Sequence, residues 1–166
     1  MTSAHAFTIR PATPDDLPAV GRLGGLLMRD HYAYDADRFL PPGDDPEGGY
    51  AWFLGTQLAH DDVAVLVAEQ DSRVLGYAYA GIEPLSWKDL RDECGFLHDL
   101  VVAPGDRGQG IGEALLNAVV SWLRGRGQPR IVLCTAERNA AAQRLFARRG
   151  FRRTMIEMTL ELGSHP

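Results

Sequence analysis

The residues best suited to chemistry lie close together, between positions 97 and 112. A short apolar run ending at Val102 is broken by Pro104-Gly105-Asp106. Arg107-Gly108-Gln109-Gly110-Ile111-Gly112 follows and leads into a segment with helical apolar spacing. Glycines at 108, 110 and 112 remove Cβ at alternate positions where the chain turns, so backbone N–H groups can converge on an outside anion. A helix starting there adds unpaired N–H groups and the positive end of its dipole, and Arg107 adds a fixed charge. Such a turn suits a pyrophosphate, although a glycine-rich turn can also serve only to pack a strand tightly against a helix. A Walker loop needs Gly-Lys followed by Ser or Thr, and both the Lys and the hydroxyl are missing. A dinucleotide loop fits poorly, because Leu115 stands where the third glycine of Gly-x-Gly-x-x-Gly belongs.

At this point the sequence resembles the GCN5-related N-acetyltransferase (GNAT) family. The family's phosphate loop reads Gln or Arg, two residues, Gly, one residue, then Gly or Ala, which residues 107–112 match in full. The preceding Leu100-Val101-Val102-Ala103-Pro104 is similar to the family's Leu-x-Val-x-Pro strand end. Asn139, Ala142, Phe146 and Gly150-Phe151 are similar to its Asn, Ala, Tyr, Gly-Phe segment. The resemblance implies acetyl transfer from acetyl-CoA directly to an amine, with no metal. It implies that Arg107 and the amides of Gly108, Gln109, Gly110, Ile111, Gly112 and Glu113 hold the pyrophosphate. The pantetheine arm would pair like an added strand with the backbone of Leu100, Val101 and Val102. Asn139 could donate to that arm as well as cap a helix. Two parallel strands would splay apart to admit the donor, and the last strands would pair between subunits of a homodimer.

Such a transfer needs two proton movements. An alkylammonium has a pKa near 10.4, by analogy with Lys, so a base must remove its proton before attack. The CoA thiol, with a pKa of about 8.5 by analogy with Cys, leaves tolerably without an acid. Many family members supply that acid from a Tyr, but Phe146 occupies its place in this chain, which leaves Tyr32, Tyr34, Tyr79 or water as donors. The candidate bases are His98, Asp99 and, at the strand's entrance, Glu93. Neighbouring strand residues face opposite sides, so His98 and Asp99 are expected to diverge. His98 is favoured, with the parity of Leu100 and Val102 and an unperturbed pKa of about 6.5. His31, Tyr32, Tyr34 and Asp35, in an acidic and aromatic segment, are the candidate substrate contacts. The expected acceptor is therefore a small cationic or aromatic amine. A protein N-terminus or Lys, or a CoA-binding regulator without catalysis, are the alternatives.

The elements that position these residues follow from periodicity. Residues 7–10 alternate like a strand. Thr13-Pro14-Asp15-Asp16 is a helix start, and Leu17, Val20, Leu23 and Leu27 form one stripe. A long acidic loop is expected over 31–49, then a short helix carrying Tyr50, Phe53, Leu54 and Leu58. Residues 63–69 and 74–82 read as a hairpin around Asp71-Ser72, and 83–93 as an exposed connection. Further strands are expected over 96–103 and 130–135. Helices follow each, the first carrying Ile111, Leu115, Ala118 and Trp122, the second capped by Asn139. One long or two short strands are expected over 151–162. The order β-α-α-β-β-β-α-β-α-β(-β) gives an α/β protein of α+β type, with a mixed, mostly antiparallel sheet flanked by helices. Trp52, Trp87 and Trp122 are expected to pack.

Length and composition bound the rest. The 166 residues suit one domain, 1–166. No apolar run approaches the roughly 20 residues of a membrane span, and 1–7 lacks the pattern of a secretory leader, so the expected location is cytoplasmic. Two cysteines cannot make a disulfide framework or a four-cysteine metal site. A net charge of −5 disfavours broad phosphate neutralisation of nucleic acid. The charge is unevenly spread: 1–95 holds 7 basic and 16 acidic residues, whereas 96–166 holds 10 and 6. The basic half suits a phosphorylated donor, the acidic half a cationic acceptor.

Overall fold

The computed structural model describes residues 7–163. Five strands form one sheet in the order β1-β2-β3-β4-β5: β1 (Thr8–Pro11), β2 (Val63–Gln70), β3 (Arg73–Glu83), β4 (Cys94–Val102) and β5 (Ile131–Leu133). Every pair is antiparallel except β4 with β5. The alternation in β2 explains the two layers of helix. Ala64, Leu66 and Ala68 face α3 (Ile111–Gly125) and α4 (Ala140–Arg148), in a core with Leu115, Leu116, Val119, Leu123 and Phe146. Val65 and Val67 face the opposite way, toward Val20 and Leu23 of α1 (Leu17–Tyr34) and Leu54 of α2 (Pro46–Gln57).

Helix α1 carries buried glycines at 21, 24 and 25, although glycine costs a helix interior about 0.5 to 1 kcal/mol relative to Ala. The reason is close packing on α2. A Cβ on Gly24 would lie 2.2 Å from the Tyr50 ring. Tyr50 is thereby seated over α1, facing the sheet.

The loop between these helices is shorter than expected. Helix α1 runs through Tyr34, and α2 starts at Pro46 with Asp45 accepting from the Gly48 amide at 2.9 Å. Asp45-Pro46-Glu47 is therefore a helix start within what reads as loop. Residues 84–93 form an exposed excursion closed by a Ser86–Arg91 bridge. Trp87 and Trp52 are 83% and 74% exposed, so these two do not pack as expected. The expected strands over 151–162 are also not formed. Phe151 packs against Phe146, and beyond it Met155, Ile156, Met158, Leu160 and Leu162 stand more than 80% exposed. Their spacing is strand-like, but among the described residues no neighbouring strand takes up their backbone groups. No described helix is long and apolar enough to cross a membrane. The expectation about a leader concerns residues that lie, but for Phe7, outside those described.

A charged knot fixes the start of the fold. Arg10 of β1 donates to both Asp16 oxygens, at 2.7 and 2.9 Å, and to Glu69 of β2. Asp16 also accepts from the Thr13 amide at 2.7 Å, completing a capping box before α1. The Arg10 guanidinium holds the Asp16 carboxyl down at about 2, below its ordinary 3.8. Because the folded value is the lower one, this stabilisation is full above about pH 4 and fades as pH falls toward 2. Asp16→Asn is expected to lower the unfolding free energy at pH 7 by about 2 kcal/mol. In urea titrations, the gap between variant and wild type should narrow between about pH 4 and pH 2.

Candidate functional site

Strand β4 builds the site, and its irregularity decides the geometry. Its register with β3 pairs Tyr79 with Asp99 but Ala80 with Leu97, so His98 is an extra residue in β4. Two residues opposing one turn both side chains toward the same face. Leu97, Leu100 and Val102 pack on the α3 side, whereas Val101 packs on the α1 side. His98 stacks on Tyr79 and Asp99 bonds to Tyr77, both of which face α1 and α2. The expected divergence of His98 from Asp99 is thus overturned: the bulge brings them to one face, and His98 does not share the face of Leu100 and Val102.

His98 lies between the rings of Tyr79 and Phe96, each at 4.7 Å and near parallel. Its Nε2 is 3.0 Å from Glu83 at the end of β3. With the Nε2 proton donated to Glu83, Nδ1 is the atom left to accept another. Burial pushes the His98 pKa below 6.5, and the pull of Glu83 in the other direction is smaller. His98 is therefore neutral at pH 7, as a base requires. Beside it, burial raises the Asp99 carboxyl to about 6, opposed by the Tyr77 hydroxyl, which donates at 2.9 Å, and by nearby His31. Tyr79 donates to Gln57 at 3.2 Å, and burial raises its pKa, so it keeps its proton.

The glycine turn has the backbone form expected of it. Asp106 accepts from both terminal nitrogens of Arg73 at 2.8 Å, which anchors the turn to β3. Gly108 and Gly110 adopt φ of +80° and +81°, the left-handed region where a side chain would be strained. Gly110 caps α3 without any side-chain bond, so the first-turn amides face outward. Ile111 is buried in the core, which leaves only its amide for a ligand. Arg107 donates to the Val102 carbonyl at 3.1 Å and lies 3.6 Å from Asp30 of α1. Strand β4 pairs with β5 only at Gly95, Phe96 and Leu97. From His98 to Val102 its outer edge is open, and this is the splayed gap.

Other expected residues divide. His31 reaches toward Asp99, with its Nδ1 2.8 Å from the Leu27 carbonyl and its ring edge-on to Tyr34 and Phe39. The Asp35 carboxylate is taken up by the Asp37 and Arg38 amides, and the Tyr34 carbonyl by Arg138. Tyr32 is 36% exposed. Asn139 caps α4 through the Ala142 amide at 3.1 Å, and Phe146 lies in the core between α3 and α4. Glu113 pairs with Arg149, and Glu93 with Gln128, away from His98. Cys94 is buried and Cys134 exposed. Among the described residues, no three His, Cys, Asp or Glu side chains are placed to hold a metal ion. Sequence reasoning missed Glu83 and Tyr77. The period of two that joins Tyr77, Tyr79 and Glu83 on one face of β3 is the signal that could have found them.

Comparison with known proteins places this geometry among relatives. The model of the acetyltransferase (GNAT) family matches residues 27–151. A mycothiol acetyltransferase of Thermomonospora curvata is 31% identical over 161 residues, covering 90% of this chain and 52% of that protein. The aminoglycoside N(6')-acetyltransferase type 1 of Klebsiella aerogenes is 31% identical over 101 residues, covering 61% of this chain and 66% of its own length. The chain thus spans about half of the former and just under two thirds of the latter. A structure from Clostridium acetobutylicum, described as a predicted acetyltransferase with acetyl-CoA, superimposes with a TM-score of 0.72 at 18% identity. It covers 96% of this chain and 100% of that one, and shows a shared fold.

The two pairs on the bulge can be titrated separately by NMR. Glu83→Gln removes the influence that raises His98, so its pKa should fall further below 6.5. Tyr77→Phe removes a donor to the Asp99 carboxylate, so that pKa should climb above 6. Unchanged values would mean that the pairs do not persist in solution.

Proposed function

The chain belongs to the GNAT acetyltransferase family, and we propose that it is an acetyl-CoA-dependent N-acetyltransferase acting on the primary amine of a small cationic or aromatic molecule. One observation carries this reading: the open edge of β4 joins the glycine turn at one end to the His98–Glu83 pair at the other. Acetyl-CoA fits that path. A Cβ on Gly108 or Gly110 would meet nothing within 4 Å, so the space over the turn is open to a phosphate. Bound there, acetyl-CoA supplies the thioester whose acetyl group passes to the amine.

This chain's own residues do the rest. Arg107 and the first-turn amides of α3 hold the phosphates. The unpaired backbone groups between His98 and Val102 align the pantetheine arm as an added strand. Nδ1 of His98, directly or through one water, accepts the proton that the ammonium must lose, and Glu83 steadies the imidazolium that forms. Tyr79, stacked on His98 and protonated at neutral pH, is the donor that Phe146 cannot be.

The acceptor class rests on three supports. Relatives are named for aminoglycoside and mycothiol acetylation. The loop 35–45 is acidic, with Asp37 and Asp44 adding charge beyond the two carboxylates that cap turns. A groove of about 290 Å³ between α1 and α2 is lined by Met28, Tyr50, Phe53 and Asp45, among others. Phe53 lies edge-on to Tyr79 at 5.7 Å, so the groove leads by contact to His98.

Thiol release from acetyl-CoA across a panel of amines tests the activity. Turnover with small polyamines or aminoglycosides is expected. Tight CoA binding without turnover on any amine would replace the enzyme by a CoA-binding regulator, and preference for peptide amines would move the acceptor to proteins. Gly110→Glu sets a strained side chain and a negative charge at the turn, so CoA affinity should fall more than tenfold. His98→Gln should lower kcat/KM at pH 7 by roughly a hundredfold while leaving CoA affinity unchanged. An unaltered pH profile in this variant would remove His98 from the role of base.

A further inference from the structure

Asp16, Asp106 and Asp99 are carboxylates drawn out of water, and the chain supplies a cation to the first two. Asp16 receives Arg10 at 2.7 and 2.9 Å, and Asp106 receives both terminal nitrogens of Arg73 at 2.8 Å. Each carboxyl is held below its ordinary pKa by that cation. Asp99 differs. Among the described residues no Arg or Lys pairs with it, and its side-chain bond comes from the neutral Tyr77 hydroxyl at 2.9 Å. Burial lifts it to about 6, which the Tyr77 bond and nearby His31 only partly offset. Burying a carboxylate without a cation costs stability, so this residue stands out as one whose counter-charge is missing.

Its surroundings suit a cation from outside. His31 of α1, Tyr50 of α2 and Tyr77 and Tyr79 of β3 lie around it, with His98 beside it in β4. Burial first, and the Asp99 charge second, push all three tyrosines up, so each keeps its proton and stays neutral. His31 and His98 can carry positive charge, but each has a ring nitrogen already committed, to the Leu27 carbonyl and to Glu83. The second oxygen of Asp99, Oδ1, accepts from no described residue and remains open to solvent. Tyr50 borders both Asp99 and the groove between α1 and α2, and aromatic faces of this kind attract alkylammonium groups.

We propose that Asp99 holds a second, non-reacting ammonium group of the acceptor, so that the amine acetylated beside His98 belongs to a short diamine or to a larger molecule with two neighbouring amines. The inference names the acceptor of the transfer proposed above and rests on that reading. A carboxylate is a poor companion for the reacting nitrogen itself, because it stabilises the ammonium that must lose its proton. On the neighbouring nitrogen its effect is reversed. A cation fixed there disfavours a second positive charge close by, so the proton to be taken by Nδ1 of His98 is held less firmly. The bulge supplies the spacing. His98 and Asp99 are consecutive, with Cα atoms about 3.8 Å apart, and both side chains face α1 and α2. Two nitrogens joined by a few carbons match that pair, whereas strict alternation would put the two groups on opposite faces.

Propanediamine, with propanediol and aminopropanol as its isosteres, tests this on the full chain. The Asp99 carboxyl, assigned by carbon NMR through its own backbone, is titrated with and without saturating propanediamine, in the protein alone and again with CoA. The diamine should move the titration down from about pH 6 by about one pH unit, while propanediol leaves it in place. That readout needs no turnover. In thiol release from acetyl-CoA, the wild type should favour propanediamine over aminopropanol by more than about tenfold in kcat/KM. Asp99→Asn should bring that ratio toward one through a higher KM for the diamine. Asn still accepts from Tyr77, and circular dichroism checks that the variant folds. An unmoved titration overturns the inference. So does a ratio that survives in Asp99→Asn with kcat lowered for both amines, the result expected of a base. A moved titration without turnover of any amine would uphold the ammonium site and remove the acetyl-transfer reading.

Discussion

One extra residue in β4 sets the position of the chemical groups in this molecule. Without His98 as a bulge opposite Tyr79 and Ala80, strict alternation would send one of His98 and Asp99 into the α3 core. The bulge turns both toward α1 and α2. It also coincides with the end of the β4–β5 ladder, which stops at Leu97. Bulged strands bend and twist more strongly, so the same irregularity that aims the side chains also steers β4 away from β5 and opens its edge. Side-chain aim and cleft opening are thus two results of one backbone feature. The glycine turn follows the end of the same strand, anchored to β3 by Arg73 and Asp106.

Burial acts on the two neighbours of the bulge in opposite directions, because it penalises whichever form carries charge. For Asp99 the charged form is the carboxylate, so its pKa rises to about 6. For His98 the charged form is the imidazolium, so its pKa falls. Each has a partner that favours its charged form, Tyr77 for the first and Glu83 for the second, and in each case burial outweighs the partner. Burial thus brings the Asp99 carboxyl up toward neutral pH and takes the His98 imidazolium down from its ordinary value. A neutral imidazole with one nitrogen committed to Glu83 and stacked between two rings is oriented as well as basic. Fixed orientation matters as much as pKa for proton transfer, since a base helps only when it lies within hydrogen-bond reach.

What the sequence could reveal depended on how local the cause was. The glycine turn, the Asn139 cap, the hairpin at Asp71-Ser72 and the alternation of β2 are decided by residues a few positions apart, and the structure shows them where expected. The bulge is different. His98 and Asp99 look like any two strand residues, and the shift in register is set by pairing with β3, about twenty positions away. Parity counted along β4 alone therefore chose the wrong companions for His98. The segment 151–162 failed for a related reason. Its pattern is that of a strand, but a strand exists only when another chain segment accepts its hydrogen bonds, and that is not written in its own residues. The start of α2 was legible but overlooked, because Asp45-Pro46 ends a stretch whose other prolines and acids read as loop.

The uneven charge of the chain acquires a structural meaning that counting alone could not supply. The acidic first part and the basic second part are laid against each other. Arg107 of the basic part meets Asp30 of the acidic part, whereas Arg73–Asp106 and Arg38–Glu157 join a base of the acidic part to an acid of the basic part. These pairs are not equivalent. The Arg73–Asp106 pair is two-pronged at 2.8 Å with the Asp106 side chain only 12% exposed, which is the geometry of a fixed tie. Arg107 and Asp30 are 3.6 Å apart, with side chains 54% and 41% exposed, which places them among surface pairs worth under about 1 kcal/mol. So weak a pair does not fix the Arg107 guanidinium at the turn. The tight pair fixes where the turn sits, and the loose one leaves its cation free to change partner. Asp30, its partner in that loose pair, lies near the end of α1 and one residue from His31. Charge that first suggests two separate tasks therefore links the glycine turn to α1.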